Sequence, residues 1–220
     1  MKKLESSITN MVIVLVGVAL ITGAILAYVN HITTGPIKEQ AEKTLTDGIK
    51  KVMGGGEITV TGSDPYSQTV DGKELTYVIH KVNDAQGKDL GAAVESTTVG
   101  FGGDLKVLVG FDSNGNILGY TILQTAETPG LGAKAETWFQ KDGKGSIIGM
   151  NPSAELKVSK DGGQVNAITA STITSRAFLK AINQAYAVYA KKDVDGESGA
   201  SQKADAESGA SKVEHNEKKG

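Results

Sequence analysis

The sequence contains no cysteine. Disulfides, thiolate metal sites, iron–sulfur ligation by this chain and cysteine nucleophiles are therefore excluded. Histidine is sparse: His31 lies beside a hydrophobic segment, His80 in a strand-like run and His215 in a polar stretch. That separation gives no zinc-ligand spacing, so no metal site is expected. An excess of one charge is also missing. With 23 Lys+Arg against 25 Asp+Glu the formal net charge is -2, which excludes a basic nucleic-acid binder and predicts no nucleic-acid partner. The sequence has no Gly-x-Ser-x-Gly motif and no identifiable nucleophile–histidine pairing, so it offers no catalytic residue for hydrolysis. Aromatic residues make up only 5%, with Trp138 the single tryptophan.

The strongest feature present is an uncharged run of nineteen residues, Met11 to Val29. At about 1.5 Å rise per residue, such a helix nearly matches a hydrocarbon core of about 30 Å. Lys2 and Lys3 precede it, opposed only by Glu5. The positive-inside rule then predicts a short cytoplasmic N-terminus (1–10), a transmembrane helix (11–29) and an extracytoplasmic remainder. The run exceeds a typical signal-peptide core and no Ala-x-Ala site closes it, which favours an uncleaved anchor. At the other end, residues 193–220 carry no aromatic residue, and Glu197–Ser201 recurs at Glu207–Ser211 as ESGAS. A segment so poor in apolar side chains cannot offset its ordering entropy and reads as a disordered polar tail. With 220 residues in all, one globular domain is expected over residues 33–192.

Within that domain Gly35 and Pro36 predict a helix start. Ile37, Ala41, Leu45, Ile49 and Val52 then recur at helical spacing up to Gly54-Gly55-Gly56. From Glu57 the pattern changes to runs rich in Val, Ile, Thr and Tyr: Leu75–Val82, Leu105–Phe111 and Ile117–Leu123, with Gly91–Thr98 and Val165–Thr169 as weaker strands. The turn-rich linker Asp112–Asn116 predicts a hairpin. Phe178, Ala181, Ile182, Ala185 and Tyr189 share one face of a closing helix over Ser175–Lys192. The fold class expected is α+β, an antiparallel sheet with flanking helices.

Two loops stand out. In Glu127–Gly132 (ETPGLG), Pro129 fixes one backbone angle, while Gly130 and Gly132 allow a close approach of backbone amides. Taken alone this is a turn, with Glu127 as its cap. In Asn166–Phe178 (NAITASTITSRAF), Thr169, Ser171, Thr172, Thr174 and Ser175 crowd five hydroxyls into seven residues at a helix start. Either Thr174 or Ser175 serves as an N-cap, or one hydroxyl is an attachment point beside helix amides suited to a phosphate.

Together the two loops resemble a known pattern. NAITASTITS is similar to the segment D-A-I-[ST]-G-A-T-x-T-S of the covalent FMN-binding domain family found in bacterial ion-translocating redox complexes, and ETPGLG is similar to that domain's other signature. Gly100-Phe101-Gly102-Gly103 and Asp161-Gly162-Gly163 extend the match. Within the family, the short chain, early anchor and compact domain resemble the G subunit of the Rnf-type ferredoxin:NAD oxidoreductase complex; the C subunit of the Na+-pumping NADH:quinone reductase shares the flavin domain. The alternative from another class is a flavin-free extracytoplasmic binding or assembly module.

The resemblance implies an electron-relaying component of an ion-translocating oxidoreductase, without substrate turnover of its own. Its partners would be the other membrane subunits of the complex, and a flavin transferase would mature it. The cofactor would be FMN, joined through its phosphate to Thr172. Glu127, Thr128, Gly130, Leu131 and Gly132 would surround it from one loop, and Thr169, Ile173, Thr174 and Ser175 from the other. Trp138, a lone tryptophan, either packs in the core or stacks on the ring. The sequence departs from the pattern at Asn166 for Asp, Ala170 for Gly, Ser171 for Ala and Thr125 for His. The predicted location is the inner membrane, single-pass, with the flavin domain on the periplasmic side.

Overall fold

The computed structural model describes residues 8–70 and 73–191. The charged N-terminus that sets the expected orientation and the tail from Asp193 lie outside them. The chain divides after Thr46 into two compact units.

The described residues of the first unit, 8–46, lie within α1 (Ile8–Val52), which is long and apolar enough to cross a membrane. Leu15, Leu20 and Leu26 are each about 70% exposed. The expected break at Gly35-Pro36 is absent, since Pro36 lies inside the helix. Proline removes one ladder hydrogen bond. Just before it, the Thr33 hydroxyl donates to the Val29 carbonyl at 2.8 Å and the Thr34 hydroxyl to the Asn30 carbonyl at 2.6 Å, adding side-chain bonds there.

The second unit is built on a five-stranded antiparallel meander, β1-β2-β3-β4-β5. The strands are β1 (Ile58–Val70), β2 (Lys73–Asp84), β3 (Asp89–Val99), β4 (Asp104–Phe111) and β5 (Ile117–Thr125). Pro65 sits within β1, which an edge strand tolerates because its outer side makes no ladder bonds. The predicted hairpin is present: Asp112 accepts from the backbone amides of Asn114 (2.9 Å) and Asn116 (2.8 Å) between β4 and β5. The predicted strand at Val165–Thr169 is not. That segment pairs through a single bridge from Val165 to Val158; beyond it the Asn166 carbonyl accepts from Trp138 Nε1 and the Ile168 amide donates to Ser175 Oγ, side-chain partners that replace a strand neighbour.

The one-turn helix α2 (Ala135–Trp138) and the long helix α3 (Thr172–Tyr189) follow the sheet. Strand alternation turns Tyr77, Val94, Val107 and Val109 toward α3, whose Phe178, Ala181, Ile182 and Ala185 are buried against them. Phe178 stacks on Phe139 at 4.4 Å and meets Tyr120 edge-on at 4.8 Å. The Tyr120 hydroxyl donates to the Ala135 carbonyl at 2.6 Å, tying the segment after ETPGLG to the sheet, and burial pushes its phenol pKa up. α3 begins at Thr172, three residues before the expected start. Thr172 is therefore the first residue of the helix rather than part of the loop ahead of it.

The last residues of α1 cover the opposite sheet face. Val52 is fully buried, and a side chain at Gly110 or Gly119 would collide with its backbone. On this face the structure corrects the reading that no nucleophile–histidine pairing exists. His80 lies between Ser63, whose Oγ is 2.8 Å from Nδ1, and Glu95, whose Oε1 is 2.8 Å from Nε2. Lys106 Nζ holds the other Glu95 oxygen at 2.5 Å. Burial pushes the Glu95 carboxyl pKa up, but hydrogen bonds and charge from His80 and Lys106 outweigh it and leave the group below its usual range. The four residues come from four different strands, so no sequence spacing reveals them. Each imidazole nitrogen has a partner, and the set satisfies a buried histidine.

Candidate functional site

A cavity of about 390 Å³ opens where the end of β5 meets the start of α3. That volume lies within the range of small-molecule and cofactor sites. Three segments form its walls: the β3–β4 turn through Phe101, the ETPGLG loop through Glu127, Thr128, Leu131 and Gly132, and the hydroxyl-rich segment from Ala170 to Thr174. The two loops singled out in the sequence thus share one cavity.

Glu127 joins the three walls. Its carboxylate accepts from the Phe101 amide at 2.7 Å and the Gly102 amide at 3.4 Å through one oxygen, and from the Thr174 hydroxyl at 2.8 Å through the other. The side chain is 7% exposed. Any Cβ at Gly100 or Gly132 would run into that carboxylate, which accounts for glycine at both positions. Gly130 has φ +77°, the left-handed conformation that lets the Leu131 amide bond back to the Thr128 carbonyl at 3.1 Å. Glu127 is more than a turn cap, since it holds two loops against a helix.

The five hydroxyls separate by role. Ser175 Oγ is fully buried, donates to the Ser171 carbonyl at 2.9 Å and accepts from the Ile168 amide at 2.9 Å. Thr174 Oγ donates to Glu127. Thr169 is exposed and does not line the cavity. Ser171 is the N-cap residue, yet its side chain makes no cap bond. Neither Thr174 nor Ser175 caps the helix, so the capping explanation of the cluster fails. Thr172 lines the cavity half-buried, in the first turn of a helix whose opening amides have no side-chain cap. Its Oγ accepts from the Lys160 ammonium at 3.5 Å.

Lys160 belongs to a 3₁₀ turn over residues 159–161 that is pinned to α3: Arg176 makes a bidentate pair with Asp161 at 2.6 and 2.8 Å. The Arg176 hydrogen bond holds the Asp161 carboxyl below its usual range. Asp161 is thus spent on Arg176, which leaves the Lys160 charge facing Thr172. Nothing in the local pattern around Lys160 signalled this, because it reaches Thr172 across twelve residues of turn.

Of the predicted site residues, Glu127, Thr128, Leu131, Gly132, Thr172, Ile173 and Thr174 line the cavity; Gly130 and Ser175 shape the loop and helix start beside it, and exposed Thr169 does not join it. Phe101, Ala170 and Ser171 also line it and were not assigned from sequence. Trp138 does not line it. Its Nε1 donates to the Asn166 carbonyl at 2.8 Å instead. Asn166, standing where the resembled pattern has Asp, donates through Nδ2 to the Lys144 carbonyl at 3.0 Å and accepts from the Ser159 hydroxyl at 3.1 Å. A carboxylate could make only the second bond.

Ala170 has φ 61°, a left-handed conformation that costs a residue with a Cβ about 1–2 kcal/mol. Glycine relieves that strain but adds unfolded-state entropy. We therefore expect Ala170→Gly to stabilise the domain by about 0.5–1 kcal/mol, read as a Tm increase of roughly 2 °C in thermal denaturation. A decrease in Tm would contradict the assigned conformation.

The match to known proteins covers this region. Residues 100–187 match the FMN-binding domain family. The chain is 30% identical over 195 residues to the G subunit of an ion-translocating oxidoreductase complex from Shewanella amazonensis, covering 82% of this chain and 87% of the relative. It is 29% identical to the corresponding G subunit from Methanosarcina acetivorans, covering 82% of this chain and 94% of that one. The G subunit of a Na(+)-translocating ferredoxin:NAD(+) oxidoreductase complex from Acetobacterium woodii is 29% identical, with 80% and 89% covered.

Proposed function

The chain belongs to the family of G subunits of ion-translocating oxidoreductase complexes, and we propose that its FMN-binding domain carries FMN covalently on Thr172 and relays electrons inside such a complex. The observation that supports the linkage most is the state of the Thr172 hydroxyl. Thr172 lines the cavity from an uncapped helix turn with its hydroxyl meeting Lys160 at 3.5 Å, while Thr174 and Ser175 spend theirs on internal bonds.

The residues present fit an ester phosphate and a flat ring. The opening amides of α3 and its positive dipole end favour a phosphate at Thr172. The Lys160 ammonium offsets the negative charge that a phosphodiester retains. Leu131 and Ile173 offer apolar surface to the ring, and Glu127 keeps the walls in register. Thr172 Oγ would supply the oxygen of the new P–O bond as the P–O bond between FMN and the donor's leaving group breaks; a flavin transferase would supply that activated FMN donor, carry away the leaving group and take the hydroxyl proton. Once bound, FMN supplies the electron-transfer chemistry, and the protein supplies position and electrostatics. The phosphoester makes cofactor loss a bond-breaking event and keeps the ring at high effective concentration.

The apolar stretch of α1 makes this a membrane protein. Residues 11–29 cross the inner membrane once, and the short N-terminus with Lys2 and Lys3 stays cytoplasmic. The flavin domain then faces the periplasm, its partners are the other membrane subunits of the complex, and the electrons it passes are those of ferredoxin–NAD exchange coupled to ion movement.

A denaturing gel tests the linkage. Protein co-produced with a flavin transferase should give a band that fluoresces under ultraviolet light, and a dark band would contradict the reading. Lys160→Met should slow loading roughly fivefold, the scale of about 1 kcal/mol for one exposed cation next to a reacting oxygen. The initial rate of in-gel fluorescence gain measures this, and an unchanged rate would show that Lys160 plays no part in loading.

A further inference from the structure

Phe101 is 68% exposed, and its neighbours Gly100, Gly102 and Gly103 form a tight turn. The Gly100 amide bonds the Gly103 carbonyl at 2.8 Å, and Gly103 has φ +141°. A single exposed apolar side chain is ordinary by itself; what sets this one apart is its place on a cavity wall. Here the side chain borders the cavity that holds Thr172, with Leu131, 42% exposed, on the ETPGLG wall of the same cavity. Tyr120, Phe111, Phe139 and Phe178 are committed to the core, and Trp138 lies outside the cavity. Phe101 is the aromatic residue among those lining the cavity.

Its position is fixed from behind. The Phe101 amide donates to Glu127 at 2.7 Å, and the same carboxylate accepts from Thr174, two residues beyond Thr172. One buried group therefore sets the distance between the aromatic side chain and the attachment helix.

We infer that Phe101 is the stacking face for the isoalloxazine ring, with Leu131 bordering the ring from the other loop. This rests on the reading that FMN is attached to Thr172. A tethered flavin without such a face would swing freely on its ribityl chain. Seated on Phe101, it is held at the mouth of the cavity, with one edge toward solvent and toward any electron-transfer partner. Stacking of a flat heterocycle on an aromatic side chain supplies orientation through face-to-face contact.

The test uses full-length protein loaded by the transferase, with loading measured separately on denaturing gels. Phe101→Ala is read on its loaded fraction alone, so that any change in loading is separated from a change in how the ring is held. That fraction should lose the visible circular-dichroism band of the immobilised flavin and drop in flavin fluorescence anisotropy. Phe101→Trp, which puts an electron-rich indole against the ring, should lose most of its native-state flavin emission and regain it on denaturation. Leu118→Ala, an exposed site on β5 outside the cavity, serves as the control and should change neither signal. Loaded Phe101→Ala with wild-type dichroism and anisotropy, or loaded Phe101→Trp with undiminished emission, would overturn the inference while leaving the Thr172 linkage intact. A wild-type band that stays dark would overturn the linkage, and the stacking face with it.

Discussion

Thr172→Val yields a folded domain that carries no covalent flavin. Threonine and valine have nearly the same shape and similar helix propensity, and the Thr172 hydroxyl makes one weak contact, at 3.5 Å to Lys160. Removing it from a half-buried first-turn position should cost the domain no more than about 0.5 kcal/mol. The effect on incorporation is all-or-none, because no oxygen remains to form the ester. Thr172→Ser, which restores the oxygen, should load again. Intact mass and in-gel fluorescence read both variants. If Thr172→Val still loads, Ser171 becomes the acceptor, since it also lines the cavity without making a cap bond. The double change with Ser171→Ala would then go dark. Thr174 is a poorer candidate because its hydroxyl is buried and donates to Glu127.

Glu127→Ala should have the largest effect on stability. It strands the Phe101 amide and the Thr174 hydroxyl, both held by a carboxylate that is 7% exposed. The buried Thr174 hydroxyl left unsatisfied costs about 1–3 kcal/mol, and the part-buried Phe101 amide costs less because water reaches it. A net loss of about 2 kcal/mol corresponds to a Tm lowered by roughly 7 °C for a domain of this size. Flavin loading should fall as well, because the β3–β4 turn and α3 lose their common anchor. Glu127→Gln should sit between the two: its amide oxygen replaces one acceptor, while its NH2 group faces a donor. Thermal melts of the unloaded proteins measure the first effect without contribution from the cofactor. A Glu127→Ala domain as stable as wild type would show that the carboxylate does not hold the walls together.

The sequence carried the helices and hairpin well where periodicity was strong. The α3 face from Phe178 to Ala185 is buried as its spacing requires, and the β4–β5 hairpin closes on Asp112–Asn116. Strand β1 was harder to read, because Gly62, Ser63, Asp64 and Pro65 look like a turn. An edge strand makes no ladder bonds on its outer side and tolerates them. Gly35-Pro36 misled in the opposite direction, since a proline inside a long helix removes only one bond. At the site, the motifs located Glu127, Leu131 and Thr172 because fixed local spacing defines them. Lys160, the Phe101 setting and the Ser63–His80–Glu95 cluster depend on contacts between distant segments, which local spacing does not encode. The five-hydroxyl cluster looked uniform in sequence. Burial and bonding separated it into two internally bonded side chains, one exposed side chain and two that face the cavity.

Peptide mass spectrometry of native protein, digested to isolate the fragment around residues 161–176, tests the covalent linkage most directly. The fragment should be heavier by FMN less one water, with fragmentation assigning the added mass to Thr172. An unmodified fragment from colourless native protein would contradict the linkage.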